Sequence, residues 1–299
     1  MHSRPTPRVQ QFHNPSNLWK KWKGVEMHWI INEGLRREPS FPILLDHLEL
    51  RAIPYTLVRK PPEVGYLIAM HDDLDETGQH KPIMLDPIEG PVFVLGTTSM
   101  RAVSDAHGWQ PGFIDAPSQE ECIDNWGEHM LNAGARFGKL GTIEPPACDE
   151  FFIRPDQAGK AFSGTVLKTD DFENWRRDIL DDPGRSKATT ETAVIAAPAI
   201  PIWSEYRCII VDGRFVTGSR YRTGKTWAES PEVGNRIVRF VEERVAEWQP
   251  RRAICIDVAD TPAGLKIIET NSVSSAGFYA NDMRLFADAV DMIGKSGSA

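Results

Sequence analysis

ICIDVADTPAGLKIIETNSVSSAGF, residues 254 to 278, sets three oxygen-bearing side chains in a frame of Ile, Cys, Val and Leu. Two apolar runs flank the short turn DTPAG, the pattern of two adjacent strands. Strand side chains alternate faces, so Glu269 and Asn271 project the same way. With the turn centred near residue 263, an antiparallel register sets Asp257 opposite Glu269. Carboxylates are seldom left among aliphatic side chains without a partner cation. Oxygen-only donors of this kind suit a hard divalent ion, Mg²⁺ above all, with phosphate oxygens completing its shell. The competing reading is a satisfied buried polar network that holds no metal. The small-residue run after Asn271 lets a ligand approach the backbone closely.

Upstream, YRCIIVDGRFVTGS (206–219) reads as a hairpin turning at Asp212-Gly213. Pairing residue 211 with 214 puts Arg207 opposite Gly218 and Glu205 opposite Arg220. One outcome is a cross-strand ion pair worth less than about 1 kcal/mol. The other assigns Arg207 and Arg220 to a phosphoryl group in transfer, where fixed guanidinium charge is most useful. The overlapping run GSRYRTGKT imitates a P-loop but fails as one. Its first glycine falls at Ser219, and Pro231 opposes a helix starting at the Lys-Thr pair. No G-x-G-x-x-G follows a strand, and no G-x-S-x-G occurs.

Further upstream, FFIRPDQAGK (151–160) ends a strand at Arg154 and carries Lys160 on a Gly-bearing loop. Two such cations can clamp phosphates, although a strand-end arginine also serves as an ordinary surface ion pair. ETAVIAAPAI (191–200) is an apolar strand interrupted by proline. Helical spacing is expected over 41–53, 119–137, 169–180 with Thr169 as N-cap, about 232–248 and about 282–293. The runs GYLIAM, PIML and PVFVLG supply short strands, and HDDLDETGQHKP (71–82) reads as an acidic solvated loop.

Composition sets the outer limits. A length of 299 residues suggests about two domains, and a net charge of −8 opposes general nucleic-acid binding. No run of 18 apolar residues exists, so no membrane span is expected. Residues 1–26 read as a disordered arm and 294–299 as a frayed tail. Cys122, Cys148, Cys208 and Cys255 show no Cys-x-x-Cys spacing, which argues against zinc. Cys208 and Cys255 suit small core positions, and a reducing, cytoplasmic location fits best.

Taken in order, FFIRP with Lys160, AVIAAPAI, SEYRCIIVDGRFVTGSRYR, Asp257 and ETN resemble the ATP-grasp superfamily over residues 119–293. Residues 27–118 resemble its usual α/β pre-ATP-grasp domain. Arg154-Pro155 stands where most members have Lys-Pro. That departure resembles the two-arginine-one-lysine clade, which includes a cell-division-cycle factor that assembles a translation initiation complex. The resemblance implies an α+β fold of two subdomains gripping ATP. It implies that Asp257, Glu269 and Asn271 hold one or two Mg²⁺ ions and that Arg154 and Lys160 contact phosphates. Val194, Ile195, Ala196 and Ala197 would lie against adenine, with Glu205 also at the nucleotide. Arg207 and Arg220 would stabilise the transferring γ-phosphate. The implied activity is ADP-forming ligation of a carboxylate to an amine or thiol through an acylphosphate, on a small-molecule, peptide or protein substrate. The alternatives are an assembly factor without turnover and a phosphotransferase.

Overall fold

The computed structural model of the protein describes residues 26–59, 68–74, 80–84, 87–156, 161–181 and 186–295. The expected arm (but for Glu26), Lys160 and the end of the tail lie outside these residues. The chain divides into two compact units. One takes the described residues up to Phe113 together with those from Ala287 onward, and the other takes the described residues of Ile114–Phe286.

In the first unit, β1 (His28–Asn32), α1 (Phe41–Leu50) and β2 (Tyr55–Arg59) form a β-α-β turn, with β1 and β2 parallel. α1 begins with Pro at its first turn, where a missing N–H costs nothing, and buries Phe41, Leu44 and Leu48. β3 (Ile68–Leu74) and β4 (His80–Met84) follow as an antiparallel edge pair. The acidic segment expected to be loop therefore lends residues 71–74 and 80–82 to strands. Main-chain pairing at a sheet edge does not require apolar side chains, so composition misreads it. β5 (Val92–Leu95), α2 (Met100–His107) and β6 (Pro111–Gly112) complete a sheet of order β4-β3-β2-β1-β5-β6. β5 is buried along its whole length, as a central strand paired to β1 and β6 must be.

The second unit opens with α3 (Gln119–Trp126), capped by the Ser118 hydroxyl accepting from the Glu121 N–H. The expected helix to residue 137 stops here. Gly127 adopts φ 50°, ψ −122°, a conformation open to glycine, and the chain turns to pair Leu131 N–H with the Ile267 carbonyl. β7 (Arg136–Lys139), β8 (Glu150–Pro155) and β9 (Thr165–Lys168) precede α4 (Phe172–Asp181) and β10 (Ala193–Pro198). They make an antiparallel sheet of order β7-β10-β8-β9. Phe151, Ile153, Val194 and Ala196 pack its core with Phe172 of α4. Thr169 does not cap α4; its hydroxyl donates to the Cys148 carbonyl, a tertiary bond that competes with capping.

The larger sheet runs β13-β12-β11-β14-β15. Its strands are β11 (Ser204–Val211), β12 (Arg214–Thr223), β13 (Thr226–Ser230), β14 (Ala253–Thr261) and β15 (Gly264–Asn271), with α5 (Asn235–Glu247) between β13 and β14. Cys208, Ile210, Ile254, Ile256 and Val258 alternate onto one face and pack with Ile237, Val241 and Val245 of α5 and Trp126 of α3. The opposite face carries Glu205, Arg207, Asp257 and Glu269. The turn at Asp212-Gly213 forms with both residues at positive φ, 46° and 75°. GSRYRTGKT is the end of one strand, a turn and the start of another, as the rejection of a P-loop requires. α6 (Met283–Lys295) ends the described chain. All four cysteines are free. Among the described residues no helix is long and apolar enough to cross a membrane.

Candidate functional site

Three β-bulges fix which side chains meet. A two-residue turn at Pro262-Ala263 pairs Thr261 with Gly264, which alone would set Asp257 opposite Ile268. The register shifts between Asp257 and Val258, so Ile268 is the extra residue and Asp257 faces Glu269 as expected. Asn271 donates from Nδ2 to Asp257 Oδ2 at 3.1 Å and to Glu269 Oε1 at 3.3 Å. The three predicted oxygen-bearing side chains therefore converge.

The hairpin corrects the sequence reading. A bulge at Val216 moves Gly218 opposite Cys208 and Ser219 opposite Arg207. A second at Tyr221 sets Arg220 opposite Tyr206 and Arg222 opposite Glu205. Tyr206 packs on the core beneath α5, as do Phe215 and Val233 around Gly218. Arg220 thus lies on the helix-side face, away from Arg207. Its Nε is buried without a hydrogen-bond partner. The arginine that reaches the site face is Arg222, whose NH1 donates to Glu205 Oε1 at 2.9 Å.

Arg207 is the hub of the face. Its row runs Ser219, Arg207, Asp257, Glu269 across four strands. Nε donates to Asp257 Oδ1 at 2.8 Å, NH2 to Oδ2 at 2.6 Å and NH1 to the Gly277 carbonyl at 2.8 Å. The guanidinium also lies over the Tyr279 ring, 4.8 Å from its centre. Tyr279 sits at φ 51° and stacks on Tyr221, with Trp227 edge-on to it. Burial works against the Arg207 charge, but Asp257 more than offsets it and holds the group cationic. Burial pushes the Asp257 carboxyl upward, opposed by the charge and hydrogen bonds of Arg207. Burial, then the charges of Asp257 and Glu205, also pushes the Tyr221 phenol upward. The loop after Asn271 is stitched down: Ser272 donates to the Ile114 carbonyl and Ile114 N–H to Ser274 Oγ.

The smaller sheet contributes the second wall. Arg154 on β8 has NH2 3.6 Å from Glu269 Oε2 and donates to Gln119 Oε1 at 3.3 Å. Gln119 in turn donates to the carbonyl of the bulged Ile268. Arg154 is opposite Ile195, which is opposite Phe137 on β7. Directly opposed residues share a face. Ile195 and Ala197 therefore lie on the Arg154 side, whereas Val194 and Ala196 face the α4 core. Only two of the four residues expected at adenine stand on that face. Phe137 stands there too, 41% exposed, where apolar spacing alone puts it on a helix. Its signal was the Gly127 and Gly134 pair, which prevents a helix from reaching it.

Among the described residues no group of three His, Cys, Asp or Glu is disposed to hold a metal. A Mg²⁺ site here would draw on Glu269 and the Asn271 amide oxygen, hard donors that fit that ion. Asp257 fits it poorly, since Arg207 occupies both its oxygens.

A small sheet and a larger one, meeting through Arg154 and Glu269 in a chain that also carries an α/β unit, define the ATP-grasp class. Solved structures share the fold. D-cycloserine synthetase DcsG superposes with TM-score 0.56 at 11% identity, over 89% of this chain and 99% of that one. A RimK domain ATP-grasp protein from Sphaerobacter thermophilus gives 0.57 at 13%, over 88% and 99%. The D-alanine-D-alanine ligase of Coxiella burnetii gives 0.57 at 12%, over 89% and 90%. No curated protein matches in sequence. The chain belongs to family 3 of the two-arginine-one-lysine clade of ATP-grasp domains, whose profile matches residues 79–292.

Proposed function

We propose that the chain is an ATP- and Mg²⁺-dependent ligase joining a carboxylate to an amine or thiol. The observation that carries this reading is the meeting of Arg154, from one sheet, with Glu269 of the other, to which Asn271 is hydrogen-bonded. Cations and hard oxygen donors on facing walls match a polyphosphate and its counter-ion. A substrate carboxylate oxygen attacks the γ-phosphorus and the bond to ADP breaks. The amine then attacks the acyl carbon, phosphate leaves with the C–O electron pair, and the amine gives up a proton. Such chemistry asks the protein for positioning and charge rather than a covalent nucleophile.

Arg154, oriented by Gln119, faces the phosphates. Arg222, held by Glu205, supplies the exposed cation that the hairpin brings to the same face, the part the sequence assigned to Arg220. Ile195, Ala197 and Phe137 offer the apolar surface for the base. Bound Mg²⁺ would neutralise phosphate charge. The solved relatives in fold include ligases of D-alanine, which supports a small-molecule or peptide substrate.

ADP release measured across a panel of amino acids and peptides tests the reading. Acceptor-dependent ADP is expected, and Glu269→Ala is expected to abolish it. Turnover surviving in that variant overturns the assignment. The Arg207–Asp257 pair, which removes one carboxylate from metal duty, favours a second reading: a nucleotide-dependent assembly factor. Nucleotide binding without ADP release under any acceptor identifies it.

A further inference from the structure

Given the nucleotide-site reading, on which this inference rests, the hydrogen bonds of the site limit how many cations it takes. Asp257 has about four lone-pair directions. Arg207 fills one on each oxygen, at 2.8 and 2.6 Å, and Asn271 takes another on Oδ2 at 3.1 Å. What remains belongs to a side chain only 3% exposed. Arg207 is no freer. Its third nitrogen is bound to the Gly277 carbonyl, its plane rests on Tyr279, and its residue is 6% exposed. For an ion to coordinate Asp257, the guanidinium would have to leave a buried pair, and a buried charge without its partner is strongly disfavoured.

Glu269 is placed differently. Its ion-pair partner among the described residues, Arg154, stands 3.6 Å away, and its side chain is 34% exposed. Its carboxylate and the Asn271 oxygen are enough protein donors for Mg²⁺, which takes few when phosphates and water supply the rest. The structure assigns Asp257 to Arg207 as a permanent internal pair, and one divalent cation to Glu269 and Asn271. Arg207 thus stands in for a second metal ion: it neutralises Asp257.

The test uses the full chain with a non-hydrolysable ATP analogue and Mn²⁺, read by electron paramagnetic resonance. One Mn²⁺ per chain with an isolated six-line spectrum is expected. Two ions at the roughly 3.5–4 Å spacing of two-metal sites would give a coupled spectrum. That result overturns the inference and leaves the nucleotide reading intact, whereas failure to bind the analogue overturns both. A charge-neutral replacement of the pair, Arg207→Met with Asp257→Leu, separates ligand from neighbour. It is expected to leave Mn²⁺ affinity unchanged, while Glu269→Gln weakens it by more than about tenfold, the least that loss of even an outer-shell partner commonly costs. An equal loss in the double variant overturns the assignment. Should the double variant fail to fold, the ion count in the parent chain decides.

Discussion

Phe137 and Arg222 both stand on the site face, one offering a ring and the other a charge. A phenyl ring exposed beside Ile195 and Arg154 contributes little to the core, so its removal should cost under about 0.5 kcal/mol of stability. Stacking of a base on an aromatic ring is worth about 1–3 kcal/mol. Phe137→Ala is therefore expected to leave the urea midpoint in place and weaken ATP binding by about one order of magnitude, measured by calorimetry. An unchanged affinity removes Phe137 from the nucleotide site. The expected pairing of Arg220 with Glu205 failed for a reason one sequence cannot display. Arg220 and Arg222 are equivalent in composition, and a single bulged residue, Tyr221, decides which of them crosses to the Arg207 side.

At the scale of elements, strands and turns were legible wherever the chain obeys strict alternation. The Asp212-Gly213 turn and the strand carrying Arg154 follow from periodicity and turn chemistry, whereas Asp257 meets Glu269 only through the bulge at Ile268. Bulges leave no mark in composition or apolar spacing, so the register beyond Ile209 was lost. The helix read over 119–137 failed because apolar residues of a helix, a loop and a strand happened to fall at helical spacing. Gly127 is the punctuation that ends the helix. Nothing lies near a Cβ added there, so Gly127→Ala tests backbone strain alone. A loss of about 1–3 kcal/mol is expected in urea denaturation. No loss would mean that tertiary contacts at Leu131 and Ile267, not glycine, end the helix.

At the scale of the whole molecule, the buried thiols of the second unit set a limit on the alkaline side. Burial pushes Cys122 up to about 11 and Cys255 up to about 12, from an ordinary 9.0, and raises Cys208 as well. The unfolded thiols ionise first, so their contribution to stability is complete below pH 9. It is lost as pH rises from 9 through 11 and 12, at about 1.4 kcal/mol per unit for each thiol. The urea midpoint is expected to hold from pH 7 to 8.5 and fall steeply by pH 10. At pH 8, thiol reagents should label the partly exposed Cys148 well before Cys122. A flat profile to pH 10 would contradict the thiol account. The division of the chain bears on its synthesis. The last helix returns to the first unit, where Asp288 meets His47 and Arg51, and Asp291 accepts from the Met27 N–H. Ala287, Val290 and Ile293 are fully buried. The strands of the first unit thus wait for the residues from Ala287 onward to cover them, while residues 114–286 of the second unit are already made. The unit built first is the one finished last.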